Sequence, residues 1–201
     1  MPNNNITWHD TKVDSATRLN LLGHKPVTVW LTGLSASGKS TIAFELEKLL
    51  LHAGHNAYVL DGDNIRHGLC QDLGFSEKDR HENIRRIAEV AKLMNNAGLI
   101  VISAFISPYI KDRESARSII GAGNFVETFL DTPIQICENR DPKGLYRKAR
   151  AGELSNFTGI SAPYESPTNP ELRLETGQMT ADQSVKIILD YLFSQKFILP
   201  K

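Results

Sequence analysis

The run Gly33-Leu34-Ser35-Ala36-Ser37-Gly38-Lys39-Ser40 constrains the fold of this chain more than any other segment. It fills the pattern G-x-x-x-x-G-K-[ST] and lies between an apolar run, Val27 to Leu31, and a helix-like stretch. Such a loop works only where a buried strand delivers the chain to a helix N-terminus, so the flanks define a strand-loop-helix unit. Backbone N–H groups along Gly33 to Thr41 then point at phosphate oxygens. Lys39 reaches the β and γ phosphates, and the Ser40 hydroxyl is a ligand for Mg²⁺. A nucleoside triphosphate carrying Mg²⁺ is the expected ligand, and the loop identifies the donor without naming the acceptor.

Around that unit, β-branched and apolar runs recur at Val27 to Leu31, Ala57 to Leu60, Leu99 to Ile106, Phe125 to Leu130 and, more weakly, Glu171 to Leu174. Helix-length segments separate them, at Ser40 to Leu51, Glu77 to Ala97, Lys111 to Ile120, Pro133 to Glu138, Leu145 to Ala151 and Ala181 to Phe193. The alternation predicts an α/β fold on a five-stranded, mainly parallel sheet. At 201 residues the chain fits one domain. Lys plus Arg and Asp plus Glu balance at 23 each, which gives no reason to expect a nucleic-acid or membrane-surface partner. Cys70 and Cys137 are widely separated and outside any C-x-x-C spacing, so a reduced, cytoplasmic setting is expected. Met1 to Asp10 has no apolar signal core, and the apolar run Leu99 to Ile102 is too short to span a bilayer. His52 and His55 bracket a helix end and read as capping groups, so no protein-bound metal cage is expected.

In open α/β sheets, ligands sit beyond the carboxyl ends of the strands, which points to Gly33 to Ser40, Asp61 to Asn64, Ser107-Pro108 and the chain from Asp131. If Asp61-Gly62-Asp63 is still extended, both carboxylates project to one side. Asp61 then organises Mg²⁺ and Asp63 acts as the base on the attacking hydroxyl. The same four residues, Asp61 to Asn64, also make an Asx turn capping a short helix, and the sequence leaves both readings open. Arg80 extends the apolar stripe Ile84, Ile87, Ala91 and Met94 back towards a helix N-terminus announced by Ser76-x-x-Asp79. A cation disfavoured there by the helix dipole wants an anion, from an acceptor with Arg66 and Asn83 assisting, or from Glu77 or Asp79 at the surface. Phe75 either packs as a hydrophobic staple or stacks on a base. Residues 141–167 combine Lys143, Arg147 and Arg150, spaced as one helix face, with several Gly and Pro. They are expected to form a mobile basic lid, against the alternative of a solvated helix face.

Taken together, Gly33 to Thr41, Leu60-Asp61-Gly62-Asp63-Asn64-Ile65-Arg66, Asp72-Leu73-Gly74-Phe75-Ser76 and Asn83-Ile84-Arg85-Arg86 make the sequence resemble the adenylylsulfate kinase family. Phe105-Ile106-Ser107-Pro108, Arg140 to Tyr146 and Phe157-Thr158-Gly159-Ile160 extend the likeness over nearly the whole chain. Ala36 stands where many members carry glycine. The resemblance implies a P-loop NTPase-type, three-layer α/β/α domain over residues 25–201 behind an N-terminal extension, residues 1–24. It implies transfer of the γ-phosphoryl group of MgATP to the ribose 3′-hydroxyl of adenosine 5′-phosphosulfate (APS), in sulfate activation, by a homodimer. It places Asp63 at the 3′-hydroxyl, with Arg66, Arg80 and Asn83 on the phosphosulfate nucleotide. Phe75 and Phe157 lie on either side of its adenine, and Ile106 and Lys143 belong to the same pocket. The family also describes the residue matching Ser107 as a phosphoserine intermediate. In-line transfer between two bound nucleotides needs no covalent stop, and a serine before Pro108 also caps a helix or binds phosphate, so Ser107 is expected to bind rather than relay. Two other functions remain as alternatives: a kinase of the same fold for a sugar, sugar acid or nucleoside monophosphate, and a nucleotide-binding switch, although no Asn-Lys-x-Asp motif is present.

Overall fold

The computed structural model describes residues 6–7 and 9–199. Its centre is β1 (Val27–Thr32), every residue of which is buried. Val27, Val29 and Leu31 point to one face of the sheet and Trp30 to the other, the period of two that a strand buried on both sides requires. The remaining strands are β2 (Ala57–Asp61), β3 (Ile100–Ala104), β4 (Phe125–Leu130) and β5 (Leu172–Leu174). All pair in parallel, in the order β2-β3-β1-β4-β5. Strand order reverses on either side of β1, so the crevice at its carboxyl end is the switch point where ligands of such sheets bind.

On the Val27 face, α2 (Lys39–His52) contributes Ile42, Ala43, Leu46 and Leu50, and α8 (Ala181–Ser194) contributes Val185, Ile188 and Leu192. On the Trp30 face, α4 (Glu77–Asn96) supplies Ile84, Ile87, Ala88 and Ala91, and α5 (Ile110–Ile120) supplies Ala116 and Ile120. Trp30 stacks between Phe105 and Phe125, with ring centroids 6.3 and 5.5 Å away. The three layers match the predicted architecture.

Two short helices lie outside the helix-length segments predicted above. One is α1 (Ser15–Leu22), which is capped by Asp14 and ends at left-handed Gly23. Beyond it His24 bridges to Ile198, and its Nε2 lies 3.0 Å from the Gly98 carbonyl. The other is α3 (Gly62–Ile65), directly after β2. Two further helices, α6 (Ile134–Arg140) and α7 (Leu145–Arg150), follow β4. His52 Nδ1 lies 2.7 Å from Lys48 O at the end of α2, whereas His55 is buried beside His24. Among the described residues no helix is long and apolar enough to cross a membrane, and no three His, Cys, Asp or Glu gather as a metal site. Cys70 and Cys137 are buried free thiols.

Candidate active site

A cavity of about 640 Å³ opens at the carboxyl ends of β1, β2 and β3. Its floor is the loop between β1 and α2, from Ser35 to Thr41. Gly33 and Leu34 lie behind this lining. A Cβ at Gly33 would stand 2.8 Å from the Leu130 carbonyl, so only glycine lets the loop leave β1 beside β4. Ala36 adopts a left-handed φ of 59°, a conformation that costs a residue with a Cβ about 1–2 kcal/mol. The loop is braced from below: the hydroxyls of Thr132 and Thr176 donate to Ser37 O at 3.4 and 3.0 Å. Arg140 donates to Ala36 O at 3.3 Å and to Thr176 O at 2.7 Å.

Lys39 is 9% exposed, and its ammonium is held by Gly33 O at 3.0 Å and Leu34 O at 2.6 Å. Burial pulls its pKa down to about 8, against the partial restoring effect of Cys137 and Asp61. Ser40 donates its hydroxyl to Asp61 Oδ2 at 2.7 Å. The other oxygen of that carboxylate accepts from the N–H groups of Asp63 and Asn64, at 3.0 and 3.4 Å. The extended Asp61-Gly62-Asp63 geometry is therefore corrected: β2 stops at Asp61, which serves as N-cap of α3. The Asx-turn reading describes the backbone, yet Asp61 also reaches the phosphate-binding loop. Asp63 comes to the cavity from the first turn of α3, where its carboxylate pairs with the Lys143 ammonium.

Facing the loop, the N-terminal turns of α4 bring Arg80 and Asn83 to the same cavity. Arg80 donates to Phe75 O at 3.1 Å, Thr158 Oγ1 at 3.2 Å and Asn156 O at 2.7 Å, which displaces the alternative of a surface pair with Glu77 or Asp79. Every one of these partners is neutral, and burial lowers the guanidinium pKa. Asn83 is 5% exposed, and its Oδ1 has no hydrogen-bond partner within the protein. Phe75 is 62% exposed, which removes the staple reading, and the Arg66 guanidinium lies 4.4 Å from its ring centroid. Arg66 is itself fixed by the carbonyls of Leu73 and Gly74, both at 3.0 Å. Phe157 meets the cavity from the other side and packs edge-on against Tyr146, 5.0 Å between centroids.

The basic segment does not converge as its spacing predicts. Left-handed Gly144 starts α7 after Lys143, so Lys143 falls outside the helical register of Arg147 and Arg150. Only Lys143 of the three lines the cavity, while Arg150 pairs with Glu138 at 2.5 Å. Ile106 and Ser107 form the wall beyond β3. Ser107 has a φ of 39° and is 2% exposed, and its Oγ accepts from Trp30 Nε1 at 3.1 Å. It caps no helix; the first N–H of α5, on Ile110, is taken at 2.7 Å by Glu165 Oε2.

Sequence reasoning missed Arg140 and Thr176 as parts of the site, and reached Thr132 only through the strand-end rule at Asp131. Thr176 was within reach of the strand-end rule, had it been applied to the weak fifth strand as well.

A family model described as adenylylsulphate kinase matches residues 25–175. The adenylyl-sulfate kinase of Marinobacter nauticus is 56% identical over 194 residues, 96% of this chain and 98% of its own. That of a Shewanella species is 55% identical over 196 residues, 98% of this chain and 96% of its own. Among solved structures, the Mycobacterium tuberculosis APS kinase CysC, in complex with AMPPNP and APS, superposes with a TM-score of 0.81. It is 52% identical and covers 84% of this chain and 98% of that one.

Proposed function

The chain belongs to the adenylylsulphate kinase family, and on that premise we propose how its residues divide the work of phosphorylating APS. The enzyme is an ATP-dependent kinase: it transfers the γ-phosphoryl group of MgATP to the ribose 3′-hydroxyl of APS, giving 3′-phosphoadenosine 5′-phosphosulfate and ADP. The loop from Gly33 to Thr41 cradles the ATP phosphates through its N–H groups, and Lys39 carries positive charge to the transferred group. Magnesium brought in with ATP has an oxygen donor in Ser40 with Asp61 behind it, a hard-ligand pair that suits the ion; when bound, it neutralises charge developing between the β and γ phosphates.

Asp63 accepts the proton of the 3′-hydroxyl, and Lys143, its partner at the cavity mouth, holds it in place until the acceptor arrives. Arg66, Arg80 and Asn83 hold the phosphosulfate nucleotide, and Phe75 and Phe157 flank its adenine, with Ile106 beside them. Ser107 orients the wall of the acceptor pocket and is not phosphorylated in the cycle; its buried hydroxyl, already engaged by Trp30, supports this role. The observation that carries the whole assignment is the pairing of Arg80, a half-buried cation with neutral partners, with the unpartnered Asn83 Oδ1 across from a phosphate-binding loop. A nucleotide acceptor answers both: its anionic groups meet the Arg80 guanidinium, and an N–H or O–H of its base or ribose donates to Asn83 Oδ1.

The apolar side chains exposed on α2 (Phe44, Leu49, Leu51) and on the adjacent α8 (Ile187, Phe193) support a homodimer joined across this face, for which sedimentation is the test. A cytoplasmic location belongs to the same proposal. The deciding assay follows ADP formation from MgATP with APS, beside gluconate, shikimate, AMP and water. Rapid turnover with APS alone, yielding the 3′-phosphorylated product, is expected; equal or faster turnover with another acceptor overturns the assignment.

A further inference from the structure

Outside the cavity, one buried guanidinium holds three separate segments. Arg113 of α5 is 3% exposed and donates from Nε to Glu127 Oε1 on β4, from Nη1 to Ser107 O and from Nη2 to Glu165 O, each at 2.7 Å. Buried ion pairs of this kind contribute little net stability against a well-packed apolar core, so stability alone is a weak reason for one here. Its carbonyl partners are more telling. Ser107 sits in a strained left-handed conformation, which persists only where the surroundings over-determine it. Three groups do so: Arg113 on its carbonyl, Trp30 on its hydroxyl, and Thr32 on the preceding Ile106 carbonyl at 2.7 Å.

The second carbonyl belongs to the end of the basic segment. Glu165 N donates to Pro108 O at 2.8 Å, and the neighbouring Tyr164 hydroxyl lies 3.0 Å from Thr32 Oγ1. The segment that begins with Lys143 and carries Phe157 is therefore fastened, at its far end, to the same loop that forms the acceptor wall. The Glu127 carboxylate, in turn, lies 3.6 Å from Arg117, which is doubly bonded to Glu171 at 2.6 and 2.8 Å. The guanidinium is thereby anchored to the sheet and not merely to the two loops.

We infer that Arg113 is a positioning residue for the acceptor half of the reaction: it touches neither substrate, but sets the distance between the Ile106–Ser107 wall and the segment bearing Phe157. The inference rests on the proposed placement of the acceptor. Arg113→Lys keeps the charge opposite Glu127 but cannot span both carbonyls, because an ammonium lacks the planar fork. Steady-state kinetics of this variant should show KM for APS raised about tenfold, about 1.4 kcal/mol. KM for MgATP should stay within about twofold, since the phosphate-binding loop does not depend on these bonds. Equal shifts in both constants, or a lower melting temperature with both unchanged, would overturn it. Should Arg113→Lys not fold, Tyr164→Phe serves instead: it keeps the ring and cuts only the link to Thr32. KM for APS should rise about threefold, the scale of one neutral hydrogen bond, and an unchanged value would sink the inference. Failure of the functional assignment looks different, since the wild type would then prefer another acceptor and the same split would appear in that acceptor's KM.

Discussion

Raising the pH from 7 to 9 should weaken MgATP binding while the folded state becomes more stable, and both effects trace to Lys39. Its ammonium is buried beneath the phosphate-binding loop, and desolvation lowers its pKa from 10.5 to about 8. With that value the protonated share falls from about nine-tenths at pH 7 to about one-tenth at pH 9, a loss of about tenfold in the form that attracts phosphate. The γ-phosphate contributes no slope, because its second ionisation lies near about pH 6. Burial pushes the Cys137 thiol upward, a linkage that opposes that of Lys39 as the pH rises, and comparison with Lys39→Ala separates the two. Stability moves the other way. The folded pKa of Lys39 lies below its unfolded value, so the unfolded chain binds more protons between about pH 8 and 10.5, and stability rises with pH across that window. The contribution is fully present above 10.5 and is lost as the pH falls through about 8; its full size is about 3 kcal/mol, of which about 1 kcal/mol has been gained by pH 9. Calorimetric titration with MgATP at constant ionic strength, beside urea unfolding at each pH, measures both. A flat affinity between pH 7 and 9, or the same slope in Lys39→Ala, would refute the argument.

Four further outcomes are expected. Asp63→Asn should lower kcat by about 10²- to 10⁴-fold with MgATP affinity retained, because it removes a base and leaves the phosphate cradle intact; calorimetry showing lost MgATP binding would move Asp63 into the metal site. Single-turnover transfer of a chiral γ-phosphoryl group should proceed with inversion, and retention would mean that two displacements occur and that Ser107 or another group relays the phosphoryl. Ala36→Gly should hold or raise stability by up to about 1 kcal/mol in urea unfolding, since relief of the left-handed strain outweighs the added freedom of the unfolded chain. Ala43→Gly in the interior of α2 should instead cost at least about 1 kcal/mol.

The sheet was readable because its strands are short, β-branched and covered on both faces, which leaves runs such as Phe125–Leu130 unmistakable. At the weak fifth strand the reading began one residue early. Glu171 is outside β5, and its carboxylate instead receives the Glu127 N–H at 2.6 Å and Arg117. Four-residue α3 is too short to display a helical period, so it was legible only through the Asx turn and short helix kept as an alternative. The direction of Arg80 followed from periodicity, but its partners at Asn156 and Thr158 did not, since they lie more than seventy residues away with no local pattern to announce them. Lys143 shows the converse failure. Correct helical spacing misled because one left-handed glycine shifted the start of the helix past it. Arg113 and Glu127 offered no signal: the first is one charge among several in α5, and the second a single charge inside an otherwise uncharged strand.

The contact between Lys143 and Asp63 bears on how the proposed base meets solvent and acceptor. If Asp63 is the base, as proposed, a water molecule approaching it shares the carboxylate with a neighbouring ammonium and has only its own hydrogen bonds to offer in exchange. On the placement proposed above, the nucleotide acceptor brings a ring for two phenylalanines and charge for two arginines, and would part the pair using contacts made far from the reacting hydroxyl. On the proposed roles, the preference for alcohol over water then draws on contacts made at the cavity mouth as well as on the chemistry at phosphorus.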